Sequence, residues 1–199
     1  MVIIPKPCAV GNWRAGRSGN LPVSAIVIHV MDGFLAGTDA LFNQTPAQRQ
    51  GAQQGHASSA HYGISQTGVI HQYVQDADTA FHAGNVSDPS WSRIKNDWDQ
   101  TLKKYKGPNP NSFTIGIEHE GTGTEAMATK LKLAFEWPDA MVQASAALVA
   151  QLCKAHSIPI DRDHIVGHHE IFAPKTCPGP APMDRIVSIA LSISQTPGP

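Results

Sequence analysis

Residues 167–179 constrain the fold more than any other part of this 199-residue sequence. The stretch reads GHHEIFAPKTCPG, so it contains histidine and cysteine, which are ligands that zinc prefers. Lys175 and Cys177 are two residues apart, so in an extended segment they point to the same side. Pro174 and Pro178 disfavour a helix there. The stretch lacks a third ligand and a general base, so the fold has to bring both from elsewhere.

A short apolar segment near the N-terminus carries another candidate ligand. Residues 24–30 read SAIVIHV, the pattern of a strand buried on both faces, and His29 lies near its end. Taken alone, such a histidine is more often a hydrogen-bonded core residue than a ligand. Together with His168 and Cys177 it makes a set of three, which leaves one position of a tetrahedral zinc ion open. Because an open position is typical of catalytic zinc, we predict one catalytic Zn²⁺ at these residues.

The segment 113–120 offers a general base. It reads FTIGIEHE, a strand pattern that puts Glu118 and Glu120 on one face, with Gly116 leaving space beside them. Two carboxylates at a solvated strand end are an equally good interpretation of this spacing. The alternative is that one of them takes a proton from a zinc-bound water. Lys175 is either an ordinary surface lysine or, this close to a ligand, a group that stabilises negative charge on a substrate oxygen.

The sequence leaves the roles of several other polar residues undecided. His169 is an alternative to His168, because adjacent residues in an extended chain face opposite ways and only one of them can bind the ion. Glu170 is a candidate to accept a hydrogen bond from a ligand histidine. His82 lies in the loop FHAG, where small neighbours leave room for a ligand. Five further histidines are interpreted as structural or solvated: His56, His71, His119, His156 and His164.

Strand and helix patterns interleave along the chain, which predicts a mixed α/β fold with a central mixed sheet of about five to six strands flanked by helices. The predicted strands are 24–30, 60–64, 69–74, 113–120 and 164–167, and the turn signal SQTG joins the second and third as a hairpin. The predicted helices are 45–54, 138–156 and 184–194, with a weak helical period around 92–105. We expect an irregular N-terminal arm at 1–21, one catalytic domain at 22–194 and a tail or linker remnant at 195–199.

Composition excludes several classes of function. The chain is 41% hydrophobic and 16% charged with a formal net charge of −1, so nothing indicates a nucleic-acid or anionic-membrane partner. Three cysteines, an odd number, argue against a disulfide framework. The N-terminus, MVIIPKPCAV, lacks a signal-peptide pattern, and no apolar stretch is long enough to insert into a membrane. We therefore expect synthesis in the cytoplasm and a monomer without membrane insertion.

Six segments in order resemble the zinc-dependent N-acetylmuramoyl-L-alanine amidases of the type-2 amidase family, which are related to peptidoglycan recognition proteins. The segments are IVIH (26–29), SAHYGI (59–64), FHAG (81–84), IGIE (115–118), GHHEI (167–171) and KTCPG (175–179). Each is weak alone, but six in family order across about residues 22–192 are strong evidence. The resemblance implies the fold of this family.

The resemblance also implies roles for particular residues. It makes His29, His168 and Cys177 the zinc ligands, and its motifs favour His168 over His169 and Glu118 over Glu120. Lys175 matches the family's catalytic lysine, and His82 matches a histidine that lines the substrate cleft. The residues expected to bind substrate are His82, His61 and Asn85.

The sequence departs from the family pattern at three places. Many relatives have aspartate as the third ligand, whereas Cys177 resembles certain phage amidases and the catalytic recognition proteins. Some cysteine-bearing relatives have a tyrosine where this chain has Ala60, so Glu118 has to carry the base function. The segment 86–110 is longer than in compact relatives, and no role is transferred to it.

The activity implied by the resemblance is hydrolysis of the amide between N-acetylmuramic acid and L-alanine in bacterial cell-wall peptidoglycan. We interpret the chain as a phage or prophage endolysin, bacteriolytic after a holin-type release, because of the cysteine ligand and the length. The alternatives are a cytosolic amidase that recycles muropeptides and a non-catalytic peptidoglycan-binding module. The complete ligand set argues against the module, and the absence of a His-Glu-x-x-His motif argues against ordinary zinc proteases.

Overall fold

Residues 1–196 are described by the computed structural model, and within them the chain forms ten β-strands and four α-helices. The strands are β1 (Ile3–Pro5), β2 (Trp13–Arg14), β3 (Ala25–Val30), β4 (Tyr62–Ile64), β5 (Ile70–Gln72), β6 (Thr79–Ala80), β7 (Trp98–Asp99), β8 (Lys104–Tyr105), β9 (Thr114–His119) and β10 (Ile165–Gly167). The helices are α1 (Leu35–Phe42), α2 (Glu125–Leu131), α3 (Asp139–His156) and α4 (Met183–Gln195). The expected tail at 195–199 begins at the last residue of α4, and residues 197–199 lie outside the described residues.

Six of the strands form one mixed sheet in the spatial order β1-β5-β4-β9-β3-β10. Strands β4, β9, β3 and β10 are parallel, whereas β5 is antiparallel to β4 and pairs in parallel with β1. The predicted mixed α/β fold with a central sheet of about five to six strands is confirmed. Because parallel strands end at one edge, β3, β9 and β10 bring their last residues to the same place.

The alternation of side chains along β3 and β9 gives the sheet two different faces. One face is apolar and packs with α3 and α4 into the main core through Ile26, Ile28, Ile115 and Ile117. Burying one such side chain stabilises the fold by roughly 1.5–3 kcal/mol relative to exposure. The other face carries His29 on β3 and Glu118 on β9. The period of two therefore separates the core from the candidate site.

Two predicted helices are wrong. At 45–54 the chain forms only two 3₁₀ turns, Pro46–Gln48 and Gly51–Gln53, because this polar stretch has no apolar stripe to bury and Gly51 adopts a φ of +59°. The helix of this region is α1, which lies earlier than predicted. At 92–105 the chain forms a 3₁₀ turn and the hairpin β7–β8, because the Asp99 carboxylate accepts hydrogen bonds from two backbone N–H groups of the connecting turn.

The N-terminal segment differs from the expected irregular arm. Strand β1 pairs with β5 at the edge of the main sheet, and β2 pairs with β6 in a separate two-stranded sheet. Both strands are three residues or shorter, so their sequence pattern is too brief to signal a strand. Within residues 1–196, no helix combines the length and the apolar character that crossing a bilayer requires.

Candidate functional site

Three parallel strands of the main sheet build the site at their carboxyl ends. His29 of β3 lies directly opposite Glu118 of β9 in the strand register. His168 follows β10, which pairs with the other side of β3. Residues separated by about 90 to 140 positions in sequence thus meet because their strands are neighbours.

The ligand atoms of His29, His168 and Cys177 lie within 4.8 Å of one another. The two Nδ1 atoms are 3.1 Å apart, and the Cys177 sulfur is 3.7 Å from Nδ1 of His29. A tetrahedral zinc ion with ordinary bond lengths holds two nitrogens roughly 3.3 Å apart and a nitrogen and a sulfur roughly 3.6 Å apart. The three donors therefore fit one metal ion.

The electrostatics of the cluster also fit a metal. Burial, followed by the neighbouring His168, lowers the pKa of His29 well below its ordinary value. Burial and then Lys175 lower the pKa of His168 to about 4. Both imidazoles are therefore neutral near pH 7, and a neutral imidazole has a lone pair for a metal. Burial raises the pKa of the Cys177 thiol, and a bound dication reverses that preference towards the thiolate.

Backbone and neighbouring groups hold the loop that carries Cys177. The Val30 N–H donates to the Cys177 sulfur at 3.3 Å. His169 donates from its backbone N–H, at 2.8 Å, and contacts with its ring Nδ1, at 3.1 Å, the Cys177 carbonyl. His169 thus braces the ligand loop and is not in the ligand cluster. Glu170 accepts hydrogen bonds from the Gly167 N–H and from Arg162, so the structure does not support its candidate role of accepting from a ligand histidine.

A chain of hydrogen bonds sets the tautomer of His29. The Thr114 hydroxyl donates to the Pro110 carbonyl at 2.8 Å, so its oxygen has to accept from Nε2 of His82, which is 3.3 Å away. Nδ1 of His82 then carries a lone pair and accepts from Nε2 of His29 at 3.0 Å. This leaves Nδ1 of His29 unprotonated, and that atom faces the other two ligands.

Gly116 makes room for this arrangement. A Cβ at position 116 would overlap the ring of His82, so the glycine is required by close approach. The sequence indicates open space beside Gly116, and the structure shows that the His82 ring occupies it. His82 also lines the cleft, so the expectation that it contacts substrate stays a prediction beside its contact with His29.

The Thr114→Val variant is expected to bind the metal roughly 10–100-fold more weakly, since loss of a partner that orients a ligand typically costs this much. Valine removes the acceptor that holds His82 in its tautomer while keeping the shape of threonine. Competition with a chromophoric chelator measures the affinity, and Thr114→Ser, which keeps the hydroxyl, is the matched control. Equal metal affinity in the valine variant and the natural protein would show that the chain of hydrogen bonds does not set the ligand tautomer.

The two glutamates of β9 and its end are in different environments. Glu118 faces the ligand cluster, and its Oε2 is a buried atom without a hydrogen-bond partner among residues 1–196. Burial, with a smaller contribution from the charge of Asp32, raises the pKa of Glu118 to about 8. Glu120 instead accepts from the Gln66 N–H at 2.9 Å in the β4–β5 hairpin. Of these two glutamates, Glu118 is the one with an unpartnered carboxylate oxygen beside the candidate ligands.

A cavity of about 280 Å³ surrounds these groups. Glu118, Lys175 and the three candidate ligands line it, together with Asp32 and Phe81. Lys175 is exposed at the rim of the cavity. Its positive charge acts to lower the pKa of Glu118, so the ammonium and the carboxylate interact electrostatically. A larger apolar cavity, of about 670 Å³, lies between α3 and the end of α4 and contains none of the candidate catalytic residues.

The two remaining residues expected to bind substrate have different positions. Asn85 is exposed and lines a groove that continues the cleft. His61 is fully buried: its Nδ1 accepts from the Gly116 N–H at 3.0 Å, and its Nε2 contacts the Asp78 carbonyl at 3.2 Å. Its ring is therefore part of the interior, and the structure does not support substrate contact by His61.

Sequence reasoning missed Thr114 and Asp32. Thr114 alternates with Gly116 and Glu118 along β9, and this period of two could have shown that it lies on the face of the site. Asp32 follows β3 by two residues, at the edge where the parallel strands end. The charge of Asp32 acts on the pKa of Glu118, and no local sequence pattern shows that these two residues are close.

Burial of His61 leads to a prediction about acid stability. Burial, and then Arg17, lowers the pKa of His61 to about 3, whereas the unfolded histidine binds a proton below about 6.5. The unfolded state therefore binds more protons as the pH falls from 6.5 towards 3, and this one group removes up to about 1.4 kcal/mol of stability per pH unit.

We expect His61→Gln to reduce that pH dependence in urea unfolding of the metal-free protein between pH 7.5 and 4. The exposed His56 provides the matched control as His56→Gln. An unchanged slope in His61→Gln would mean that the buried ring is not neutral in the folded protein.

Comparison with known proteins places this geometry in a family. Residues 19–180 match the family described as N-acetylmuramoyl-L-alanine amidase. The chain belongs to this family. The matched region contains His29, Glu118, His168, Lys175 and Cys177, and the family assigned from the sequence motifs is thereby confirmed.

Individual relatives agree with this assignment. N-acetylmuramoyl-L-alanine amidase A of Achromobacter lyticus is 29% identical over 152 residues, which is 73% of this chain and 63% of that protein. The 1,6-anhydro-N-acetylmuramyl-L-alanine amidase AmpD of Salmonella typhimurium is 36% identical over 62% of this chain and 51% of its own length. The chain thus spans between half and two thirds of the length of these curated relatives.

Solved structures show the same fold. The crystal structure of a selenomethionine derivative of AmpD has a TM-score of 0.68 at 27% identity, with 94% of this chain and 93% of that chain covered. The structure of PlyL has a TM-score of 0.61 at 14% identity and covers 96% and 97% of the two chains, a likeness of fold alone.

Proposed function

We propose that this amidase-family chain is a zinc-dependent hydrolase of the amide between N-acetylmuramic acid and L-alanine in peptidoglycan. One observation carries the proposal: two neutral imidazoles and one thiol lie at metal-binding distances and share a cleft with an unpartnered glutamate oxygen. The names of the relatives supply the substrate class. We also propose that residues 22–194 form the catalytic domain, whose sheet β1 extends at one edge, and that the protein is a monomer.

The roles of the residues follow from their chemistry. His29, His168 and Cys177 would hold the ion, which supplies polarisation of the substrate carbonyl and a bound water with a pKa of about 7. A bound dication and Lys175 would favour the ionised form of Glu118, which accepts a proton from the attacking water while the water oxygen bonds to the carbonyl carbon. The Lys175 ammonium stabilises the negative charge that develops on the carbonyl oxygen. Glu118 then returns the proton to the alanine nitrogen, so the C–N bond breaks to give a carboxylic acid and a free amine, which exchange the remaining proton to become a carboxylate and an ammonium.

Purified sacculi test the activity. We expect incubation to release new L-alanyl amino termini, chelation to abolish the release, and added zinc to restore it. Product mass spectrometry distinguishes cleavage at the lactyl amide from cleavage within the peptide stem. Absence of new L-alanyl termini, or full activity in the chelator, would contradict the proposal; binding to sacculi without products would indicate a non-catalytic module.

For the biological setting, we propose a phage or prophage endolysin that reaches the cell wall after holin-type release. The cysteine at the third ligand position is the supporting observation. Recycling of soluble muropeptides is the second candidate, favoured by the 36% identity to AmpD. The ratio of kcat/KM on intact sacculi to that on a soluble 1,6-anhydro-muropeptide separates the two: an endolysin clears sacculi, whereas a recycling enzyme acts mainly on the soluble substrate.

A further inference from the structure

One arginine of the N-terminal segment bonds to residues that precede and begin β9. Arg17 lies before both the matched family region, 19–180, and the proposed catalytic domain. Its side chain is half-buried, and its guanidinium donates four hydrogen bonds to backbone carbonyls. Nε and Nη2 donate to Asp76 at 3.0 and 2.7 Å, and Nη1 donates to Asn111 at 3.2 Å and to Thr114 at 2.9 Å. The planar fork of one side chain thus joins the β5–β6 connection to the start of β9.

The two acceptors of Nη1 belong to the residues that fix His82. The Asn111 side chain accepts from the backbone N–H groups of His82 and Ala83, at 3.1 and 2.7 Å. The Thr114 hydroxyl contacts Nε2 of the His82 ring at 3.3 Å. Asn111 therefore positions the backbone of His82, and Thr114 positions its ring. Because Arg17 bonds to the carbonyls of both, it holds these two residues in place relative to each other.

Arg17 also approaches a third neighbour of His82. Its Nη2 lies 3.0 Å from Nε2 of His61, whose ring is fully buried. The His61 ring meets the His82 ring edge to face, with the ring centroids 5.7 Å apart. His61 also accepts from the N–H of Gly116, the residue over which the His82 ring packs. Three of the residues that surround one histidine are thus in contact with one guanidinium.

The backbone that carries Arg17 is itself fixed. Strand β2 pairs with β6, so the segment before Arg17 is attached to the residues that follow Asp76. The Gly16 N–H donates to the Asp78 carboxylate at 2.9 Å, and the Thr79 hydroxyl donates to the Gly16 carbonyl at 2.7 Å. A side chain on an anchored backbone can hold its partners in place, whereas one on a loose segment would move with them.

We infer that Arg17 is a positioning residue of the proposed metal site. It holds the groups around His82, and the 3.0 Å hydrogen bond from His29 to His82 leaves Nδ1 of His29 free for an ion. The inference rests on the proposed zinc site, because the tautomer of His29 matters only if an ion binds there. It makes the N-terminal segment, to which the family motifs assign no role, part of the functional unit.

Metal binding to the metal-free protein tests the role of Arg17. Arg17→Met keeps the aliphatic part of the side chain and removes every donor. We expect it to weaken Zn²⁺ binding about tenfold, the lower end of the loss caused by removing an outer partner of a ligand. Competition with a chromophoric chelator measures the affinity, and the visible absorption of bound Co²⁺, which depends on donor geometry, should shift. The exposed Arg14 on β2 provides the matched control as Arg14→Met, which should leave both readouts unchanged.

A double-mutant cycle separates positioning from a merely structural role. If Arg17 acts through Thr114, then Arg17→Met and Thr114→Val interrupt the same path. Arg17→Met should therefore weaken Zn²⁺ binding much less in the Thr114→Val background than in the natural protein. The same fold loss in both backgrounds would show that Arg17 acts independently of this path, and an unchanged affinity in Arg17→Met would equally overturn the inference.

Arg17→Lys keeps the test decisive if Arg17→Met fails to fold. Lysine retains the positive charge, but its compact ammonium lacks the planar fork that the three carbonyls require. We expect a variant that urea unfolding shows to be folded, with a Zn²⁺ affinity between those of the natural protein and Arg17→Met. A folded Arg17→Lys with natural affinity and an unshifted Co²⁺ spectrum would contradict the positioning role. If the natural protein binds neither ion, the proposed zinc site itself fails, which is a different result.

Discussion

Replacing Glu118 with glutamine is expected to lower kcat by roughly 10²–10⁴-fold, the usual contribution of a general acid–base group. The amide has the same shape as the carboxylate but cannot take a proton from the attacking water. The Glu118 oxygen is buried and unpartnered within residues 1–196, so no other hydrogen bond is lost with it. Release of L-alanyl amino groups measures kcat, and elemental analysis of the purified protein measures zinc, which should be unchanged.

Glu120→Gln is the matched control, since Glu120 belongs to the same segment but bonds to the β4–β5 turn. Its kcat should stay close to that of the natural protein. A Glu118→Gln variant with normal zinc content and nearly full activity would show that another group is the base.

Replacing Lys175 with methionine is expected to lower kcat by roughly 10²–10³-fold, as removal of one oxyanion donor does elsewhere. Methionine keeps most of the aliphatic side chain but removes the charge that we propose stabilises the developing oxyanion. Lys175 also acts to lower the pKa of Glu118, so its loss should raise that pKa. The base is then protonated over a wider range, and the acid limb of the kcat profile should move to higher pH. Steady-state kinetics between pH 5 and 9 measure both effects.

Lys175→Arg should recover part of the activity, because it restores the positive charge at the rim. The exposed Lys130 on α2 serves as the control, as Lys130→Met, for loss of a surface charge alone. An unchanged kcat and an unshifted pH profile in Lys175→Met would rule out a catalytic role for this lysine.

The parts of the fold that the sequence predicted are those with a strong local period. The buried run around His29, the β4–β5 hairpin and the long amphipathic α3 are present as expected. The segment of the two-residue strands β7 and β8 shows a weak helical period and was predicted as helix. The hydrogen bonds that the Asp99 carboxylate accepts form a turn there instead. Strand β1 is stabilised by its partner β5 and not by its own pattern.

In the candidate site, too, some features follow from local sequence and others depend on long-range packing. The amino-acid sequence by itself determined which residue types occur at the ends of strands, and its motifs were sufficient to select His29, His168, Cys177, Glu118 and Lys175. It could not show that His82 supports His29 or that His61 is interior, because both depend on which face of a neighbouring strand each ring meets. The catalytic roles themselves stay predictions until the variants are measured.

Only the tertiary structure decided the distances and directions within the cluster. Local sequence governs the chain over a few residues, whereas the sulfur of Cys177 and Nδ1 of His29 meet across 148 positions. Strand register brings His29 opposite Glu118, and the hydrogen bond between His29 and His82, whose ring packs over Gly116, leaves Nδ1 of His29 unprotonated. Residue identity thus set the available chemistry of residues 167–179, and long-range pairing set which of those groups act together.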